Sequence, residues 1–219
     1  MARFMDFEYE LINSGVKINK YLDSETSVNI PSKIENLSVT EIGDCAFANC
    51  NSLTHVTIPD SVKEIGWGVF DGCRELTSIS LPDSVMKIGV GAFIDCTSLK
   101  TIIIPNRLKE IGTGTFAGCS SLTNITIPNS LKEIGMSAFE ECTSLTKIDI
   151  PDSITYIGDC AFYRCRALKS ITMPDSLKEI ASYAFADCIL LETITLPSSN
   201  IKISPDVFLN CNISINLAE

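Results

Sequence analysis

The chain has one histidine and one tryptophan in 219 residues. A nucleophile–histidine–acid triad would therefore have to use His55. Cys50 lies five residues away but belongs to a repeated apolar column, so no convergent set of catalytic groups forms around His55. Metal chemistry is equally poorly supplied. Cys45 and Cys50 lack C-x-x-C spacing, and no second pair completes a tetrahedral set. Neither G-x-x-x-x-G-K-[ST] nor G-x-G-x-x-G occurs, which removes the two common phosphate cradles. Not an enzyme, with no metal and no cofactor, is the expectation.

Positive charge is also short. Seventeen Lys and Arg face 27 Asp and Glu, a formal net charge of −10. That balance disfavours nucleic acid and anionic membrane surfaces as partners. No apolar run approaches the roughly 20 residues of a membrane span. The opening Met-Ala-Arg-Phe-Met-Asp-Phe-Glu lacks an apolar signal core, which points to the cytosol.

What the chain does have is a period. Phe47, Phe70, Phe93, Phe116, Phe139, Phe162, Phe185 and Phe208 are spaced by 23. Cys50 to Cys211 and Ile42 to Ile203 form two further columns of eight at the same interval. A fixed period of this length signals a solenoid. No coil can bury its apolar edge alone, so neighbours must stack into a continuous core. At a strand spacing of about 4.8 Å the stack extends for roughly 35–40 Å.

One unit runs from Leu122 to Cys142. Its L-x-x-I-x-I segment, Leu122 to Ile127, ends in the alternation of a short half-buried strand. Pro128 ends the strand, because proline cannot donate to a ladder. Pro-Asn-Ser or Pro-Asp-Ser then suits a β-turn. A short extended piece leads to the recurring isoleucine. The glycine after it (Gly66, Gly89, Gly112, Gly135, Gly158) is expected at a second sharp corner with positive φ. Ala-Phe-x-x-Cys places ring and thiol at i and i+3, one face of a helical or 3₁₀ turn.

The ends differ. Residues 1–27 read as an N-terminal β-hairpin cap turning at Asn13-Ser14-Gly15. Residues 28–211 form eight coils, the first enlarged between Ser32 and Val39, and residues 212–219 a closing strand. That last strand offers an edge for weak self-association; otherwise the chain is a monomer.

The ten cysteines are expected to be reduced. Eight share one apolar column, where free Cys packs as a small hydrophobe. Parallel thiols do not converge as a disulfide requires. Cys45 and Cys160 lie five coils apart, about 24 Å by strand spacing, and are the expected exposed thiols.

The unit L-x-x-I-x-I-P-x-S-L-x-x-I-G-x-x-A-F-x-x-C resembles the BspA-like leucine-rich repeats over residues 28–211. The resemblance implies a right-handed superhelix with a concave parallel β-sheet and short turns on the convex side. It also implies a protein-binding module of the adhesion or host-interaction type, with an extracellular host or matrix protein as partner. A cell-surface or secreted location is implied as well, against the cytosolic reading of the N-terminus.

Binding residues should then lie between the buried positions of the concave strands. One column is His55, Ser78, Thr101, Asn124, Lys147 and Ser170. The other is Thr57, Ser80, Ile103, Thr126, Asp149 and Thr172. Both are mostly small and hydroxylated, which equally suits any exposed strand. Ile103 breaks the pattern as an apolar residue among polar ones, the arrangement of an interface centre. Trp67, Tyr156, Tyr163 and Tyr183, expected on turns and the convex side, are a second set. An intracellular or self-associating scaffold is the alternative function. A glycan- or ice-binding Ser/Thr face is weaker, because His55, Ile103, Lys147 and Asp149 interrupt its regularity.

Overall fold

The computed structural model describes residues 2–197 and 201–217, and in it the 23-residue unit becomes one coil of a β-solenoid. Each L-x-x-I-x-I segment contributes a short strand with its central residue buried and the flanking two turned outward, as in His55–Thr57, Thr101–Ile103 and Asn124–Thr126. Stacked in parallel and in register, these strands form a front sheet. The proline turn closes as the sequence implies: the Val62 N–H donates to the Pro59 carbonyl at 3.0 Å, and the same bond recurs from Leu131 to Pro128. Two-residue strands such as Glu64–Ile65 and Lys87–Ile88 then build a side sheet. Lys63 and Glu64 are exposed between buried Val62 and Ile65, so the recurrent Lys-Glu pairs are solvent-facing.

The core lies between these sheets and the turn side. The Phe column is fully buried from Phe47 to Phe185. Its rings stack at 5.0 to 5.5 Å, with planes within 10 to 28° of each other. One identical ring per coil lets each pack on the next in an offset stack.

The Ala-Phe-x-x-Cys segment is not helical, and no helix occurs among the described residues. Its backbone N–H groups serve two directions in alternation. Those of Gly68, Phe70 and Gly72 donate to Val90, Ala92 and Ile94 of the next coil. Those of Asp71 and Cys73 donate three residues back, to Gly68 and Phe70. A helix would need all of them internally, so the segment becomes a run of turns laddered to its neighbour.

The glycine corner also differs from expectation. Gly66, Gly89, Gly135 and Gly158 do not have positive φ. They are needed because a Cβ would meet the preceding coil's backbone: at Gly89 it would lie 2.4 Å from the Trp67 nitrogen. The left-handed residues come two and six positions later, as at Gly68 and Gly72, Cys160 and Arg164, or Tyr183 and Asp187.

At the N-terminal end, β2 (Phe7–Ile12) and β3 (Gly15–Tyr21) pair antiparallel, and β1 (Ala2–Phe4) folds back on β2. β3 continues in parallel with Leu37–Ile42, so these strands extend the side sheet rather than stand apart from it. Tyr21 stacks on Phe47 at 5.2 Å. Ser27–Asn29 already pairs with His55–Thr57, so the front sheet begins inside the segment assigned to the cap. The enlarged first coil is a small hairpin, Lys33–Ile34 against Leu37–Ser38, turning through Glu35 and Asn36, both at positive φ. At the other end Ser214–Leu217 pairs in parallel with Thr193–Leu196. Met1, Ala218 and Glu219 of the two terminal segments lie outside the described residues.

Candidate functional site

The front sheet brings the two outward columns together. Ile103 registers with Ser80 on one side and Thr126 on the other. His55 registers with Ser78, and Asn124 with Lys147. Nearly every one of these side chains is exposed, because each neighbours a buried Val or Ile in a period-2 strand. Ile103 is 72% exposed on an inner strand of the sheet. His55 stands in the open, its Nδ1 2.9 Å from the Thr54 hydroxyl.

The columns do not run unbroken. The hydrogen-bonded ladder stops between Lys147–Asp149 and Ser170–Thr172, leaving a six-strand and a three-strand sheet. Ser170 and Thr172 therefore belong to the second sheet, with Thr193 and Thr195. A cleft of about 360 Å³ marks the break, with Asp149, Asp152 and Asp175 on its walls. Lys147 turns to its own strand neighbour, with Nζ 2.9 Å from Asp149. This exposed pair contributes little to stability.

The four aromatics do not form one set. Tyr156 sits within a side-sheet strand, registered between Glu133 and Glu179, not on a turn. Tyr163 lies beneath the Arg164 guanidinium, 4.8 Å from ring centre to carbon, and Arg164 bonds Glu141 at 2.7 Å. Tyr183 is exposed and holds a left-handed turn position. Of the four, Trp67 lines a groove. That groove, about 370 Å³, crosses the side sheet over Gly43, Gly66 and Gly89, with Lys17, Glu41, Glu64 and Lys87 along it. The residues beside Trp67 were missed in the sequence, although a bare glycine column next to an off-pattern Trp was the available signal.

The thiols are free. Cys73, Cys96, Cys119, Cys142, Cys165 and Cys188 are buried, and burial pushes the Cys73 thiol up to about 12. Cys45 and Cys160, expected to be exposed, are half-buried, and so are Cys50 and Cys211, the first and last of the column. No group of three His, Cys, Asp or Glu poised to hold a metal ion occurs among the described residues.

Comparison with known proteins agrees with the repeat. The BspA type leucine rich repeat region matches in six copies over residues 17–120 and 91–216. A leucine rich repeat protein of T. pallidum is 36% identical, with a TM-score of 0.81 over 87% of this chain and 90% of that one. A leucine-rich repeat protein of Bacteroides ovatus is 26% identical, with a TM-score of 0.57 over 96% of this chain and 70% of that one. A leucine rich cell surface protein of Faecalibacterium prausnitzii is 23% identical, with a TM-score of 0.55 over 100% and 94% of the two chains. No curated protein matches the sequence. The 23-residue register and these matches together make the chain a member of the BspA type leucine rich repeat family.

Proposed function

We propose that this chain is a non-enzymatic module that docks a protein partner on its front sheet. The observation that carries the reading is Ile103. It is an aliphatic side chain on an inner strand, held outward by the strand period and flanked in register by Ser80 and Thr126. An apolar centre within a polar, hydroxylated field is how protein interfaces are built. Solenoids present extended surfaces of this kind. The partner class in this reading is an extracellular host or matrix protein, bound in an adhesion role. Affinity in the micromolar range suits a small, polar face.

The test is a binding screen of purified matrix and serum proteins against the parent chain and an Ile103→Asp, Thr126→Arg variant. Binding by the parent, lost in the variant with Tm within a few degrees, supports the reading. Unchanged binding by the variant removes the front sheet.

One observation favours a self-associating scaffold instead. Ser214–Leu217 is exposed throughout, with Ile215 and Leu217 uncovered, and among the described residues it pairs on one side only. Sedimentation at rising concentration separates the two, since a strict monomer counts against assembly.

A further inference from the structure

We propose that the side-sheet groove around Trp67 is a second, independent site, and that it takes a neutral oligosaccharide. The argument starts from the groove floor. The N–H groups of Gly43, Gly66 and Gly89 already donate to Ile18, Ile42 and Ile65 at 2.7 to 2.8 Å. These three glycines have no main-chain donor left, so above them an occupant is held by side chains. A Cβ on Gly66 would meet Asp44 at 2.5 Å, so the groove can exist only while the coils pack on bare glycine.

The walls decide the chemistry. Trp67 and Val90 stand along one side, each 55% exposed. A large exposed indole beside a concavity is a marker of a binding surface. Lys17, Glu41, Glu64 and Lys87 follow one another along the other side, two of each sign. Lys87 approaches Glu64 at 3.8 Å, and Lys17 approaches Glu10, outside the groove, at 3.7 Å, so both ammonium groups already face a carboxylate. Asp44 is occupied by the Trp67 main-chain N–H at 2.9 Å. The groove therefore selects neither a cation nor an anion. It offers an apolar ring face together with carboxylate acceptors and ammonium donors, a few convergent polar groups beside an apolar wall.

A neutral pyranose chain matches both parts. Its axial C–H face lies on the indole, and its hydroxyls donate to Glu41 and Glu64 and accept from Lys17 and Lys87. Spacing agrees as well. Phe47, Phe70 and Phe93 stack at 5.3 Å per coil, so the wall charges repeat at an interval comparable with the residue repeat of an extended pyranose chain. An apolar peptide would satisfy the indole but would leave the Lys17, Glu41, Glu64 and Lys87 side chains without polar partners in the occupant.

Trp67 is the one tryptophan of the chain, so its fluorescence reports this groove alone. The experiment titrates the whole chain with cellotetraose and with tetra-N-acetylchitotetraose, following Trp emission and, for variants, isothermal calorimetry. A saturable emission change with at least one of them is expected. Trp67→Ala should abolish the calorimetric signal. Glu41→Ala with Glu64→Ala, which keeps the indole, should weaken binding at least tenfold with an unchanged Tm. Ile103→Asp should leave the titration as it is, which keeps this outcome separate from that of the front sheet. No saturable change with either sugar overturns the proposal. So does equal binding by the double glutamate variant, loss of binding in Ile103→Asp, or a response only to a neutral apolar peptide run as the control.

Discussion

The thiol of Cys119 donates to the main-chain carbonyl of Phe93, 3.2 Å away and one coil earlier. The same bond joins Cys73 to Phe47, Cys96 to Phe70, Cys142 to Phe116, Cys165 to Phe139 and Cys188 to Phe162. This explains why the Phe and Cys columns share one phase. The ring fills the core, and the thiol of the next coil satisfies a carbonyl that is buried with it. The Phe93 carbonyl also accepts the Cys96 main-chain N–H at 3.3 Å, so the thiol is its second donor. The Cys119→Val variant, which fills the space but cannot donate, should lose about 0.5–1.5 kcal/mol in urea unfolding, the worth of one hydrogen bond.

Deleting a ring is costlier. Phe116 is buried between Phe93 and Phe139, at 5.5 Å from each. The Phe116→Ala variant should lose about 3–5 kcal/mol. Equilibrium denaturation of the two chains measures the difference, and a variant as stable as the parent would contradict the stacked-coil core.

Thiol burial predicts both reactivity and a pH limit. Iodoacetamide on the native chain should label only among Cys45, Cys50, Cys160 and Cys211, the four that are not buried. The other six should react only after unfolding. Cys73 has its thiol raised from 9.0 to about 12 by burial, so the folded chain favours the protonated form. The stability this confers is complete below pH 9 and is lost as pH climbs from 9 toward 12. The unfolded chain ionises the thiol first, at about 1.4 kcal/mol per thiol per pH unit. Tm should be level through neutral pH and fall steeply above 9.

Coil contacts are uneven, and the glycines report it. The side-sheet ladder runs from β3 as far as Lys87–Ile88 and resumes beyond Glu110. At Gly112, on the interrupted interface, a Cβ would meet only the Thr115 hydroxyl at 3.8 Å. At Gly135 it would lie 2.8 Å from the Gly112 carbon and the Ile111 oxygen. Gly135→Ala should therefore cost about 1–3 kcal/mol through overpacking. Gly112→Ala should be neutral or stabilising by about 0.4–1 kcal/mol, since alanine restricts the unfolded chain. Equal losses at both positions would contradict the interrupted interface.

The register of the fold was legible because burial repeats: Leu, Ile and Phe recur where each coil meets the core, and a strand followed by proline has few alternatives. The turn run at Phe70–Cys73 was not, since i,i+3 spacing is shared by helices and by turns whose alternate N–H groups reach another coil. That second partner lies 22 residues away in sequence, at Ala92 for Phe70 and Ile94 for Gly72, and no local pattern reveals it. The glycine after Ile65 was misread for a related reason. A glycine required by close approach looks the same as one required by positive φ. Ile103 could be picked out because it departs from its own column. The ladder break beside Asp149 could not, because its residues match their neighbours in type.

The most direct test of the front-sheet claim uses light-activated cross-linking. A photoreactive phenylalanine analogue is installed in place of Ile103, and separately in place of Ala117 on the turn side. Each chain is then irradiated with the protein partner recovered from the binding screen. The account predicts a covalent adduct from position 103 and none from position 117. An adduct from position 117 with none from 103 would contradict it and move the interface to the opposite side of the coil.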